Sequence, residues 1–248
     1  MATRTKVIIG VLVVGVLAIG GGLYLYFGDD EPPVASVDNA LGGGAASGDD
    51  PTTTVADGGP AIDGVEGTWT VDTTSGDFDF DSATGTFAGF RIQENLAGIG
   101  ATEAVGRTGD VSGTMTIEGT TVTEASFEVD LSTITSNESR RNSRIQQALE
   151  TDRFPTATFT LTEPIELGAD ATNGKDVSVS ATGDLTIHGV TKSVQFPLTA
   201  RLSGNTIAVA GSLDVVFADY DVEVPDSQIV VSVEDNGPIE LQLLLTRS

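Results

Sequence analysis

The sequence predicts an all-β domain, an antiparallel barrel or sandwich of about eight to ten strands with one short helix. An N-terminal apolar segment and a polar stretch precede it. Three observations carry the prediction. From Glu66 onward, apolar and polar residues alternate with a period of two in ten separate stretches. Turn residues such as Glu118-Gly119, Ser203-Gly204-Asn205 and Asn236-Gly237 separate those stretches. Only one segment in this region breaks into a helical pattern.

Taken in order, residues 1–6 carry Arg4 and Lys6 and read as a cytoplasmic N-terminus. Residues 7–27, VIIGVLVVGVLAIGGGLYLYF, hold no charge. At about 1.5 Å per helical residue they match the roughly 30 Å of a hydrocarbon core, so a single transmembrane anchor is expected. Arg4 and Lys6 before it, and Asp29, Asp30 and Glu31 after it, place the remainder of the chain outside the cell membrane by the positive-inside rule. The run is longer than the apolar region of a cleaved signal and lacks a convincing Ala-x-Ala site.

Residues 28–65 are rich in Gly, Ala, Asp, Pro and Thr and poor in large apolar side chains. Such a stretch buries too little surface to offset its ordering entropy, so it reads as a disordered linker. As a flexible tether its root-mean-square reach is about 35 Å, enough to carry the folded part clear of a bilayer.

Within residues 66–248 the alternating stretches are GTWTVD, TFAGFRIQE, DVSGTMTIEG, TVTEASFEVDL, TATFTLTE, DVSVSATGDLTI, VTKSVQFPLTARL, NTIAVAGSLDVVF, SQIVVSVED and PIELQLLLTR. Alternation gives each strand one buried and one wet face. By this pattern Phe127, Val129 and Leu131 share a face, as do Phe159 and Leu161, Leu185 and Ile187, and Val194, Phe196 and Leu198. The helical exception is SNESRRNSRIQQALE, residues 136–150, with a cap-like Ser136-Asn137 and an apolar stripe of Ile145, Ala148 and Leu149. Phe154-Pro155 ends helical geometry.

Composition excludes much chemistry. There is no cysteine, hence no disulfide, thiolate metal site, thiol nucleophile or lipidated N-terminal cysteine. A net charge of −24 repels phosphate backbones, so nucleic acid is not an expected partner. Asp77-Phe78-Asp79-Phe80-Asp81 spaces its carboxylates like a calcium loop, but Ser82 and Ala88 stand where that loop needs Gly and Glu. Alternating Asp and Phe suits a strand with one dry face, and no metal is expected.

His188 is the single histidine of the chain. It sits in Ile187-His188-Gly189 between two alternating segments, at a strand end or hairpin corner. No G-x-S-x-G elbow or second histidine accompanies it, so a structural or ligand-rim place is expected rather than a general base. Arg140, Arg141, Arg144 and Arg153 are four of twelve basic residues and cluster within fourteen positions. They either pair with Glu138, Glu150 and Asp152 or form a cationic rim for a phosphate or polar head group.

FEVDLSTITSNESRRNSRIQQALETDRFPTATF (127–159), followed by GDLTIHGVTKSV (183–194), strongly resembles the YceI-like family, and WTVDTTSGDFDF extends the similarity. It covers about residues 66–248. The resemblance implies an extended, lipocalin-like antiparallel β-barrel, usually extracytoplasmic, that binds polyisoprenoid or similar amphiphilic lipids; with one histidine, no cysteine and no nucleophile motif, no catalytic residue or cofactor is expected. Residues 91–111 depart from the family pattern as a loosened, lengthened strand and turn. Alternation and the resemblance together place Phe127, Val129, Leu131, Phe154, Phe159, Leu185, Ile187, Phe196 and Leu198 along a bound chain. Arg140, Arg144 and His188 form the expected polar rim. The expected partners are such a lipid, of quinone or polyprenyl phosphate class, and a membrane entered by the N-terminal helix.

Overall fold

A computed structural model describes residues 31–42, 64–74, 76–98, 100–223 and 230–248. The apolar run 7–27 and most of the 28–65 stretch lie outside the described residues. Among the described residues no helix is long and apolar enough to cross a membrane.

The strands are β1 (Gly67–Val71), β2 (Phe87–Leu96), β3 (Gly100–Thr108), β4 (Val111–Glu118), β5 (Thr121–Asp130), β6 (Thr135–Ser136) and β7 (Thr156–Leu161). They continue with β8 (Ile165–Glu166), β9 (Val177–Ile187), β10 (Val190–Ser203), β11 (Thr206–Val216), β12 (Val230–Val233) and β13 (Asn236–Arg247). Eight of them close an antiparallel barrel in the order β1-β4-β5-β7-β9-β10-β11-β13, with Trp69 opposite Arg247 sealing β1 to β13. Closure leaves these eight strands without a free edge. The choice between barrel and sandwich is settled by that last pairing.

β1 covers only one end of β13. Along the rest of β13 its place is taken by β2, from Ile239 opposite Phe90 to Gln242 opposite Phe87. β3 and β6 continue outward from β2, and β12 pairs with its far end. Residues 91–111 are therefore not loosened. β2 and β3 pair from Ala88 and Thr108 to Leu96 and Gly100, a regular hairpin standing beyond the barrel's eight-strand girdle.

The helical segment is shorter than expected. Thr135–Ser136 pairs as β6, Ser139–Arg141 forms a 3-10 turn capped by the Glu138 carboxylate, and the α-helix spans Asn142–Ala148. This mouth helix lies at one end of the barrel. Gln146 Nε2 ties it there by donating to the carbonyls of Leu131, Ser132 and Ile134 at 3.1–3.3 Å.

Residues 77–81 are not the expected strand. Asp79 forms a lone bridge with Thr84, and its carboxylate accepts from the N–H and hydroxyl of Ser82, so the segment turns back on itself. The hydroxyl and amide of Ser82 hold the Asp79 carboxyl below its usual value. Phe78 packs against Phe87, and Phe80 lies near the Arg107 guanidinium. Alternating Asp and Phe thus has a wet and a dry side without being a strand.

Residues 31–42 also differ from expectation. They fall in the stretch read as a disordered linker, yet they form a strap on the outer face of the barrel. Ser36 caps a one-turn helix, Val37–Ala40, by accepting from Asn39 N–H at 3.0 Å. Val37 and Ala40 are buried against Ala208, Ala210 and Leu244. The reach of a flexible tether does not apply to these residues.

Candidate functional site

The inward faces of the eight strands do not meet at the barrel axis. They enclose a cavity of about 470 Å³, within the roughly 300–1,000 Å³ usual for small-molecule sites. One end is shut. Trp69 is fully buried there, donates its indole N–H to Val65 O at 2.8 Å, and packs with Ile117, Leu243 and Leu245.

Above this floor the wall is apolar. Phe127 and Val129 of β5 face Phe159 of β7, Leu185 and Ile187 of β9, and Phe196 and Leu198 of β10. Phe159 and Phe196 meet edge-on at 6.4 Å. Gly183, opposite Leu161, leaves room for the Phe159 ring: a Cβ there would lie 2.4 Å from Phe159 Cζ.

The polar lining is concentrated at the other end, where Glu94, Glu138, Arg140, Arg141, Arg144 and Glu223 stand around the opening. Ile145, Ala148 and Leu149 present the apolar side of the mouth helix to the cavity. Arg141 is ion-paired with Glu94 and donates to Asn137 Oδ1 at 3.1 Å. Asn137 is itself fixed to β3, accepting from Val105 N–H and donating to Glu103 O. Burial pushes the Glu94 carboxyl above its ordinary value, and the Arg141 charge opposes the shift. Arg140 and Arg144 are exposed on the rim.

The expected site residues are thus largely brought together. Phe127, Val129, Leu131, Phe159, Leu185, Ile187, Phe196 and Leu198 line the cavity, with Arg140 and Arg144 at its opening. Phe154 and His188 do not line it. They pack on each other edge-on, with centroids 4.5 Å apart, outside the wall. His188 occupies the tight turn joining β9 to β10 at φ +52°, followed by Gly189 at +76°. Its Nδ1 lies 3.2 Å from Tyr220 O, its Nε2 lies 3.7 Å from Glu150 Oε1, and it is 9% exposed. It pins three segments at the open end and has no contact with the cavity space.

Sequence reasoning missed Glu94 and Arg141 as a pair, because the Ser139–Arg141 turn and β2 lie some 45 positions apart and meet only in the folded barrel. It also missed Met115, Ile117, Val209 and Leu243. Their alternation was visible, and the inward face of every strand was equally eligible. Among the described residues no three His, Asp or Glu side chains gather as a metal site.

Comparison with known proteins bears on this architecture. Residues 69–245 match the family model of the YceI-like domain. A UPF0312 protein of Vibrio parahaemolyticus is 26% identical over 153 residues, covering 58% of this chain and 77% of that protein. A solved polyisoprenoid binding domain from Saccharophagus degradans, implicated in plant cell wall breakdown, is similar with a TM-score of 0.54 and 21% identity. It is matched over 73% of this chain and 98% of its own. BcnA of Burkholderia cenocepacia is similar with a TM-score of 0.50 and 18% identity, over 64% of this chain and 95% of its own.

Proposed function

The chain belongs to the YceI-like family, and from that premise we propose that it is a non-catalytic binding module for a polyisoprenoid or similar amphiphilic lipid, of quinone or polyprenyl phosphate class. The proposal includes a membrane anchor at residues 7–27, with the barrel on the extracytoplasmic side.

The carrying observation is the distribution of polarity in the cavity. Its closed end and walls are almost wholly apolar, and, apart from Glu240, whose carboxylate is held by Arg91 and Arg107, the charged lining residues gather at the opening. An apolar chain needs no directional partners, and burial contributes about 25 cal/mol per Å², so roughly 400 Å² of chain provides about 10 kcal/mol before ordering costs. A polar head then meets the arginines and carboxylates of the rim. His188 lies off the cavity, which removes the lone imidazole from a bound ligand and supports binding over reaction. The named ligand class of the Saccharophagus degradans domain supports the choice of lipid. The anchor and its direction rest on the uncharged 7–27 run and its flanking charges.

Lipid extraction and mass spectrometry of the purified full chain test the proposal, with Ile187→Trp as comparison. Ile187 lines the cavity, and indole in its place narrows the passage. The wild type should carry an isoprenoid lipid that the folded variant lacks. Equal lipid complements in the two proteins, or none in either, would overturn the reading.

A further inference from the structure

The strap runs lengthwise on the barrel, and its direction is fixed by four sets of contacts. Arg91 Nη2 donates to Pro32 O at 2.6 Å and Pro33 O at 2.8 Å, and Arg107 Nη2 donates to Pro33 O. Ala35 N–H donates to Glu240 Oε2 at 3.2 Å, and Ser36 N–H to Gln242 Oε1 at 3.0 Å. Val37 and Ala40 then sit on Ala208, Ala210 and Leu244. Asp38 accepts from Arg201 Nη1 at 2.6 Å. Along β13, the course from Glu240 through Gln242 to Leu244 leads toward Arg247, which pairs with Trp69 at the closed end. Pro32 is therefore the end of the strap nearer the opening.

The apolar run ends at Phe27 and the strap begins at Glu31. With three residues between them, the four steps from Phe27 to Glu31 reach at most about 14 Å. A fully flexible stretch of the whole 28–65 span would reach about 35 Å. Residues 43–63 join the strap to β1, so they add nothing to the distance between the apolar run and the barrel.

We propose that residues 31–42 dock the barrel mouth-first on the bilayer that residues 7–27 enter, so that ligand passes between bilayer and cavity without crossing bulk water. The proposal rests on the membrane-anchor reading under Proposed function. The surface that meets the lipid is the rim formed by the mouth helix and the Phe217–Tyr220 turn, which includes Val216 with 45% of its surface exposed. Glu223 shares this rim with Arg140 and Arg144, so the reach of the strap, rather than net charge, sets the contact. The strap precedes the matched domain at 69–245. Its socket, in contrast, is built from barrel strands.

The absence of native cysteine permits a direct test on the full chain. Ser143→Cys labels the exposed side of the mouth helix, and Asn205→Cys labels the turn at the closed end. Each fluorophore-labelled protein is reconstituted in phosphatidylcholine vesicles containing head-group spin-labelled lipid, and flotation is measured on the same sample. Quenching should be several-fold stronger at position 143 than at 205. A long Gly-Ser insertion after Asp30 should abolish that difference while the chain still floats. Equal quenching of the two labels in vesicle-bound protein, or a difference that survives the insertion, would overturn the docking. Failure to float would overturn the anchor reading and the docking with it, and flotation separates this outcome from the others.

Discussion

Arg107 on β3 bonds to Glu240 on β13, Nε to Oε1 at 2.7 Å, across a strand that lies between them. The intervening residue is Gly89 of β2, register partner of both. A Cβ at that position would fall 2.1 Å from Gly106 O and 2.8 Å from Arg107 Cγ. Its absence lets the guanidinium pass over β2. Arg91 reaches the other oxygen of Glu240 at 3.2 Å and Glu103 at 2.6 Å, so two cations and two anions form one nearly dry group. Burial lowers the pKa of Arg107, which the Glu240 carboxylate partly counters. Further N–H groups donate to carbonyls, those of Pro32 and Pro33 from the strap and that of Phe80.

Removing the shared anion should therefore be severe. Glu240→Ala leaves two buried guanidinium groups without their common partner, and breaking such a network costs about 3–5 kcal/mol. Urea denaturation should show the loss.

The His188 turn makes a more modest claim. A two-residue hairpin with positive φ at both positions favours Asn or Gly at the first. His188→Ala should cost about 1–2 kcal/mol through an unfavourable backbone conformation and lost packing on Phe154. His188→Asn should recover part of that. Retained lipid should match wild type in both, as measured by extraction and mass spectrometry.

Glu94 offers a pH signature. Its folded pKa is raised by burial, so the folded state binds this proton more tightly than the unfolded chain. The associated stability is fully present below the unfolded pKa of about 4.3 and is lost as pH rises through the folded pKa. Glu94→Gln stays neutral throughout. Its stability relative to wild type should therefore improve between pH 4 and pH 7, a trend that thermal melts across that range would measure.

At the rim, replacing Arg140 and Arg144 together by Ala should weaken retention of anionic isoprenoid lipids several-fold while leaving neutral ones nearly unchanged. Competition between a polyprenyl phosphate and a quinone for the purified protein distinguishes the two.

How much of this was legible depends on how far apart in sequence the partners lie. Ten strands were readable because β-branched and aromatic residues alternate locally. β3 was not: GATEAVGRT offers Ala and Gly where larger apolar residues would mark a face, and its pairing comes from β2 beside it. The strap was misread because small residues such as Ala35 and Ala40 carry little local signal, while their partners Glu240 and Leu244 lie some two hundred positions away. Asp77–Asp81 misled in the opposite way, since a turn with two anchored phenylalanines repeats a strand's alternation. The inward face of the cavity was visible at Phe127, Phe159 and Leu185, but inward residues alternate identically whether they fill a core or line a space. Phe154 and His188 belong to conspicuous motifs, and only the position of Tyr220 shows that those motifs build a corner rather than a wall.

The seal between β1 and β13 also sets a timetable. Trp69, which floors the cavity, finds its barrel partner at Arg247, and β11, β2 and β1 all depend on β13 for an edge. Nothing resembling the finished barrel can exist while residues 236–247 are still being synthesised. Folding must wait for them, and pairings of such long sequence separation are slow to form. Until then the facing phenylalanines stand unsheltered, the kind of exposed apolar surface that makes an unfinished chain prone to aggregate.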